Sequence, residues 1–333
     1  MAEERVVLEG RRLEKALAHR GRNLLIDRDE CYLEHGEPFG ESTLTLVPGD
    51  PAGRDIFLRR TDSGGRAIME FAFAEHLALN AICVLHSVGG GLQEGDICYF
   101  ASISGFKVER EVPAGAKALG RVGRKADKGP FRRFVGEMEL AGVGPVAQVD
   151  ITAFTLHISE EPPRDIRKTG EVVKVETRQA VDRSAFAWKA PSMVFVDEMV
   201  SVHRAERTAG FAYTYPAGHP FTPGHFPGNP VMMGITQWMS VSDACLWLAR
   251  ELVRSGDIPA ARHRIVGSGE LLRDDGTIVA EVKGLDESVT LGRDGRIGPP
   301  TVSATKRVVF RDMVRPGEPL RVRARIESIS PAE

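Results

Sequence analysis

The 333-residue chain has four cysteines, Cys31, Cys83, Cys98 and Cys245, with no CxxC pair and no close cluster among them. That pattern argues against a disulfide framework and a thiolate zinc site, and reads as reduced thiols in a cytoplasmic protein. No apolar run reaches the roughly 18 residues that a membrane helix needs. The charged opening, MAEERVVLEGRRLEKAL, lacks the apolar core of a signal peptide. Neither sign of charge dominates: 44 Lys and Arg against 46 Asp and Glu leave a formal charge of −2, no basis for a nucleic-acid partner. A Ser/His/Asp nucleophile pattern is absent. VGGGLQEGD at 88–96 has the glycines of a nucleotide loop without its strand–turn–helix setting.

What is present is the composition of an ordinary globular protein, 42% hydrophobic and 27% charged, with a length suited to two domains. Loose internal similarity supports that division. LLIDRDECYLEHGEP at 24–38 parallels VFVDEMVSVHRAERT at 194–208, with Asp27 matching Asp197, and FKVEREVPAG at 106–115 parallels VVFRDMVRPG at 308–317. Two divergent copies of one domain are expected, at 13–160 and 190–330. Residues 161–189, polar and carrying a Pro-Pro pair, form the linker, with room for one strand.

The most constrained stretch is Thr222–Asp243, TPGHFPGNPVMMGITQWMSVSD. Pro223, Pro227 and Pro230 fix φ, and Gly224, Gly228 and Gly234 permit turns that other residues resist. Such a loop presents His225 in a reproducible place, and Gly234 opens a helix whose free N–H groups can hold a carbonyl oxygen. An isolated His-Phe is more often a hydrogen-bonded structural histidine; the complete string HFPGNPVMMG argues otherwise.

That string resembles the signature of the hotdog-fold 3-hydroxyacyl-[acyl-carrier-protein] dehydratases of fatty-acid and polyketide synthesis. The matching residues are His225, Phe226, Pro227, Gly228, Pro230, Val231, Met232 and Gly234, and Met233 stands where the family has proline. The resemblance implies that His225 is catalytic and that a carboxylate follows fourteen residues later on the helix. Here that position is Met239, which transfers no proton. Residues 75–103 of the first half run without a gap against the family's stretch that begins at the acid, which places Glu75 there. The first half in turn has RRTDSGGRAIMEF, around Thr61, where the histidine loop would be. In the family, as the resemblance implies, each site pairs a histidine from one hotdog with a carboxylate from another. One fused chain would then make a single competent pair, His225 with Glu75. Polyketide-synthase dehydratase domains look similar, with the two halves in the opposite order.

Secondary-structure patterning agrees with an α+β double hotdog, two curved antiparallel sheets each wrapping a central helix. Helices are expected at 66–86, where Ile68, Phe71, Ala72, Glu75, Leu79 and Ile82 share one face, and at 235–253. Strands are expected at 43–47, 97–103, 133–140, 146–156, 193–203, 209–214, 278–283, 301–311 and 319–328. The hairpin-like 269–286 comes earlier than the family's order would place it, and the chain stops after RVRARIESIS where two more strands are expected. Either the second domain is rearranged or the chain is a piece of a longer protein.

Glu75 falls among apolar neighbours, the setting in which a carboxylic acid keeps its proton; Glu70 and Asp243 are the competing acids. His219 near His225 lacks the further ligands of a metal site, so no metal is expected. His76 and His86 read as structural. A basic run at 117–133 includes Arg124, Lys125, Arg132 and Arg133, opposed by Asp127 alone. Its bland reading is a solvated strand pair; the functional one is a dock for an acyl carrier protein or its phosphopantetheine phosphate. The expected activity is cofactor-free dehydration of a 3-hydroxyacyl thioester on an acyl carrier protein, with the Gly234 amide on the carbonyl, in a homodimer or a larger synthase. The alternatives are another acyl-thioester enzyme of this fold (isomerase, thioesterase or decarboxylase) and a non-catalytic acyl-carrier binding module.

Overall fold

The computed structural model of the chain describes residues 5–88, 90, 92, 96–157, 167–169 and 172–332. In chain order the first half holds β1 (Val6–Glu9), α1 (Arg11–Ala16), β2 (Arg28–Glu34), β3 (Glu37–Leu44), the short β4 (Leu58–Arg60) and β5 (Arg66–Ile68), α2 (Phe71–Ser87), β6 (Asp96–Val108), β7 (Ala118–Lys128), β8 (Phe131–Leu140) and β9 (Gly144–His157). The second holds β10 (Gln179–Ala180), β11 (Glu198–His203), β12 (Thr208–Thr214), α3 (Gly234–Arg254), β13 (Arg262–Arg273), β14 (Ile278–Thr290), β15 (Thr301–Phe310) and β16 (Pro319–Pro331).

The described residues fall into two compact units that do not follow the halves of the sequence. One is drawn from Met1–Leu58, Ala67–Pro163 and Pro223–Asn229; the other from Arg59–Arg66, Arg164–Thr222 and Pro230–Glu333. Each half gives one short loop to the unit of the other. The histidine loop therefore packs with the first unit, although the sequence division puts it in the second domain. The first unit also begins before residue 13, because β1 pairs with β2 from Val6 onward.

In the first unit the antiparallel order is β1-β2-β3-β7-β8-β9-β6, and α2 lies on β2, β3, β7 and β8. The strands show the period-two burial of a sheet with one face covered, as in β3, where alternate side chains are buried. Phe71 to Leu85 are all buried, so α2 is enclosed nearly all round, as its apolar sequence requires. The helix comes very close to the sheet at Gly120. A Cβ there would stand 2.6 Å from His76 Nε2 and 2.7 Å from Ser42 Oγ, so only glycine fits.

In the second unit the order is β15-β14-β13-β16-β12-β11-β10, with α3 on β12, β13, β14 and β16. Each unit is a seven-stranded antiparallel sheet with one long buried helix, and the chain is a double hotdog of the α+β class. The wiring differs between the two. The strand beside the N-terminal hairpin is β7 in the first unit, the second strand after the helix. In the second unit it is β16, the fourth and last. The early hairpin expected at 269–286 is β13–β14, which fills central places in the sheet. Strand β15 takes the place in the second unit that β6 takes in the first. The strand order of the second unit therefore differs from that of the first.

Asp27 and Asp197, matched in the sequence repeat, do the same work. Asp27 N–H donates to Thr43 O at 2.8 Å and its carboxylate accepts from Thr45 N at 2.6 Å; Asp197 N–H donates to Ala212 O at 2.9 Å and its carboxylate accepts from Thr214 N at 3.0 Å. Arg54 pairs with the first and Arg183 with the second. Of the linker, Gln179–Ala180 forms β10, and Val173 packs in a cluster with Val200, Leu272 and Ile278.

Several expected boundaries move. The first helix starts at Phe71, not 66, because Ile68 N–H bonds Val112 O and Met69 N–H bonds Phe57 O, which holds this segment extended. The strand expected at 43–47 is β3, Glu37–Leu44, set by its hairpin with β2. Of 193–203 only Glu198–His203 is strand, preceded by a 3-10 turn at Pro191–Met193.

Candidate functional site

His225 is positioned by backbone pairing. Arg20 N–H donates to Gly224 O at 2.8 Å and Phe226 N–H donates to Ala18 O at 3.2 Å, which sets His19 directly opposite His225 in an antiparallel bridge. Side chains of an opposed pair leave the same face. Accordingly the two imidazoles meet edge to face, with centroids 4.9 Å apart at 61°. Gly224 makes the pairing possible: a Cβ there would collide with the Arg20 carbonyl and stand 2.7 Å from Asn23 Nδ2. Phe226 takes a left-handed backbone with φ 57°, unusual for a bulky side chain and of a kind that costs about 1–3 kcal/mol. Its ring is held by Tyr99 at 5.5 Å and His225 at 4.4 Å between centroids.

Glu75 enters from the second turn of α2, 3% exposed. Its Oε1 lies 3.4 Å from His19 Nε2. His19 and His225 are 2% and 7% exposed. One buried cluster of the first unit therefore contains both residues singled out in the sequence, with His19 touching each. His19 was not foreseen: it sits in KALAHRGRN, outside any motif, and only the non-local pairing with Gly224–Phe226 reveals it.

The neighbouring His76 is different. Its Nδ1–H donates to Leu25 O at 2.8 Å, and its Nε2 accepts from Ser42 Oγ at 2.9 Å, which in turn accepts from Asn80 Nδ2 at 2.7 Å. Burial pushes its pKa down to about 4, so it is a neutral structural histidine. Glu70, 2% exposed, sits at the cap position of α2.

The remaining candidates lie in the second unit. Gly234 is the first residue of α3 and packs against the Phe310 ring, 3.1 Å from where a Cβ would stand. Met239 is buried in that helix. Asp243 is bound to the Lys189 ammonium and accepts from Phe195 N–H at 2.8 Å, so its carboxylate is occupied within that unit. His219 Nε2–H donates to Ser192 O at 2.8 Å and its Nδ1 accepts from Phe221 N–H at 3.3 Å. Among the described residues no three His, Cys, Asp or Glu side chains cluster as metal ligands, and no helix is long and apolar enough to cross a membrane.

The basic run forms the β7–β8 hairpin. Arg124 is clamped by Asp127, whose carboxylate also lies 3.6 Å from Arg132 Nε, and Lys125 Nζ is 3.8 Å from Asp150. Arg133 is exposed and makes no ion pair among the described residues. Asp127 thus faces two of the arginines of the run, Arg124 and Arg132.

The fold is a double hotdog, and its buried His225 lies in a Pro/Gly-pinned loop. No family model matches the sequence, and no curated protein matches it. Among solved structures, the dehydratase domain of a mycocerosic acid synthase-like polyketide synthase is similar with a TM-score of 0.45 at 11% identity, covering 90% of this chain and 96% of that one. The dehydratase domain from the CurK module of curacin polyketide synthase gives 0.40 at 10%, covering 84% and 93%. The dehydratase heterocomplex ApeI:P from Xenorhabdus doucetiae gives 0.36 at 10%, covering 44% of this chain and 93% of that one.

Proposed function

We propose that the chain dehydrates a 3-hydroxyacyl thioester, carried on the phosphopantetheine of an acyl carrier protein, to the 2-enoyl thioester in fatty-acid or polyketide biosynthesis. One observation carries the reading: the histidine of the HFPGNPVMMG loop is buried in one cluster with the acid of α2, by way of His19. The substrate's α-proton is weakly acidic and hydroxide is a poor leaving group, so the reaction needs both a base and an acid. His225 takes the α-proton, imidazole being suited to this at neutral pH. The electrons of that C–H bond form the double bond as the β C–O bond breaks, and Glu75 gives its proton to the departing hydroxyl, which leaves as water. The loop resemblance assigns carbonyl polarisation to the helix-start amide of Gly234. No cofactor takes part. Acyl carrier protein is the partner, and Arg133 with Lys125 are its candidate contacts.

Incubation with a 3-hydroxyacyl carrier, and separately with a 2-enoyl carrier, tests this. Loss of one water from the first and gain of one by the second, both read by mass, are expected. No change in either mass contradicts dehydration. A migrated double bond at constant mass would assign isomerisation, and release of free carrier would assign thioester hydrolysis.

A further inference from the structure

Two buried histidines of this protein set a contrast with His19. His76 and His219 each use both ring nitrogens in hydrogen bonds. His19 is as buried as they are, yet neither of its nitrogens makes a hydrogen bond among the described residues. Leaving a buried donor or acceptor unmade costs about 1–3 kcal/mol, so each such group calls for an explanation. The chain also fixes this imidazole with care, since the two backbone bonds to Gly224 and Phe226 set it opposite His225. Glu75 Oε1 lies 3.4 Å from its Nε2.

We propose that His19 is a positioning residue for Glu75: as the neutral imidazole it donates Nε2–H to Oε1, so that the carboxyl proton sits on Oε2, ready for the leaving hydroxyl. This rests on the dehydratase reading of Glu75 and His225. A protonated carboxyl offers one O–H and one good acceptor oxygen. A donor held at Oε1 removes the choice between them, and with it the two orientations of which only one is productive. The opposite arrangement, imidazolium beside carboxylate, would leave Glu75 with no proton to give, so the neutral form of His19 is the competent one. The edge contact with the His225 ring lets the same side chain hold the base and the acid in mutual register.

Two variants separate the donor from the ring. His19→Phe keeps a planar buried ring and removes the donor; His19→Gln keeps an N–H near the place of Nε2. Orienting partners of catalytic groups typically contribute about 10- to 100-fold. His19→Phe should lower kcat by about that factor with KM nearly unchanged, and His19→Gln should recover most of the loss. Wild-type kcat in His19→Phe, or equal losses in the two folded variants, would overturn the proposal. A second readout needs no turnover. The chain has nine histidines, so its imidazole 1H–15N spectrum can be assigned with His19→Phe and His225→Ala. A neutral His19 protonated at Nε2, whose resonances move in Glu75→Gln, is expected. A doubly protonated His19, or one that ignores Glu75→Gln, contradicts the contact. If the wild type removes water from no substrate, the dehydratase reading fails, while the spectrum still decides the His19–Glu75 bond.

Discussion

Gly224 shows how much of the site rests on single atoms. The pairing that sets His225 opposite His19 passes so close to the Arg20 carbonyl that no side chain fits. Gly224→Ala should push the loop outward; overpacking of this kind costs about 1–3 kcal/mol. A displacement on the order of 1 Å at a catalytic group costs about 100-fold in rate. Kinetics beside a thermal melt would show the expected outcome, a mildly lowered Tm with a large loss of kcat. His225 was legible in the sequence because a rigid Pro/Gly string is a local signal. Glu75 was legible only through an ungapped register along α2. His19 was not, since a histidine in KALAHRGRN carries no local information and acquires its meaning from a segment some two hundred residues away.

The elements were legible where hydrophobic period decides them. Helix α3 and strands β8, β9, β12 and β16 lie close to their expected places. The start of α2 was misjudged because 66–70 continues the apolar pattern while its backbone bonds outward to Val112 and Phe57. The strand order of the second unit is a property of pairing, to which periodicity is blind. At the junction of α2 with its sheet, two buried groups make stability depend on pH in opposite senses. Burial raises Asp29, on β2, to about 8 from 3.8, so between these limits the folded state holds a proton that the unfolded state lacks, and stability falls as pH rises. Burial lowers His76 to about 4 from 6.5, so across that window the unfolded state holds the extra proton and stability increases with pH. The slopes oppose each other up to about pH 6.5, above which Asp29 acts alone. Asp29→Asn should therefore gain on the wild type by about 2 kcal/mol between pH 6.5 and 8. Urea unfolding at the two pH values measures it; a constant difference would mean that Asp29 is ionised in the folded protein.

At the scale of the whole chain, the proposed function takes its base and its acid from different halves of the sequence. Asp27 and Asp197 play the same part in the two units. Met239 stands on α3 where the loop resemblance implies an acid, and the loop around Thr61, grouped with the second unit, has no imidazole. The proposed function therefore predicts one working site per chain. The basic hairpin is a smaller surface than its sequence promised, because Asp127 engages Arg124 and approaches Arg132. Charge reversal at Arg133 should raise KM for a carrier-bound substrate several-fold, as surface charges do at transient interfaces, and should spare a short pantetheine thioester. Equal effects on both would make the run structural. The central claim, that His225 and Glu75 act together as base and acid, is tested most directly by the turnover of His225→Ala, Glu75→Gln and their combination on a 3-hydroxyacyl carrier. Each single variant should lose about 100- to 10,000-fold with its fold intact, and the double variant should be little worse, because the pair acts as a unit. Near-full dehydration by Glu75→Gln, or losses that multiply in the double variant, would contradict the account.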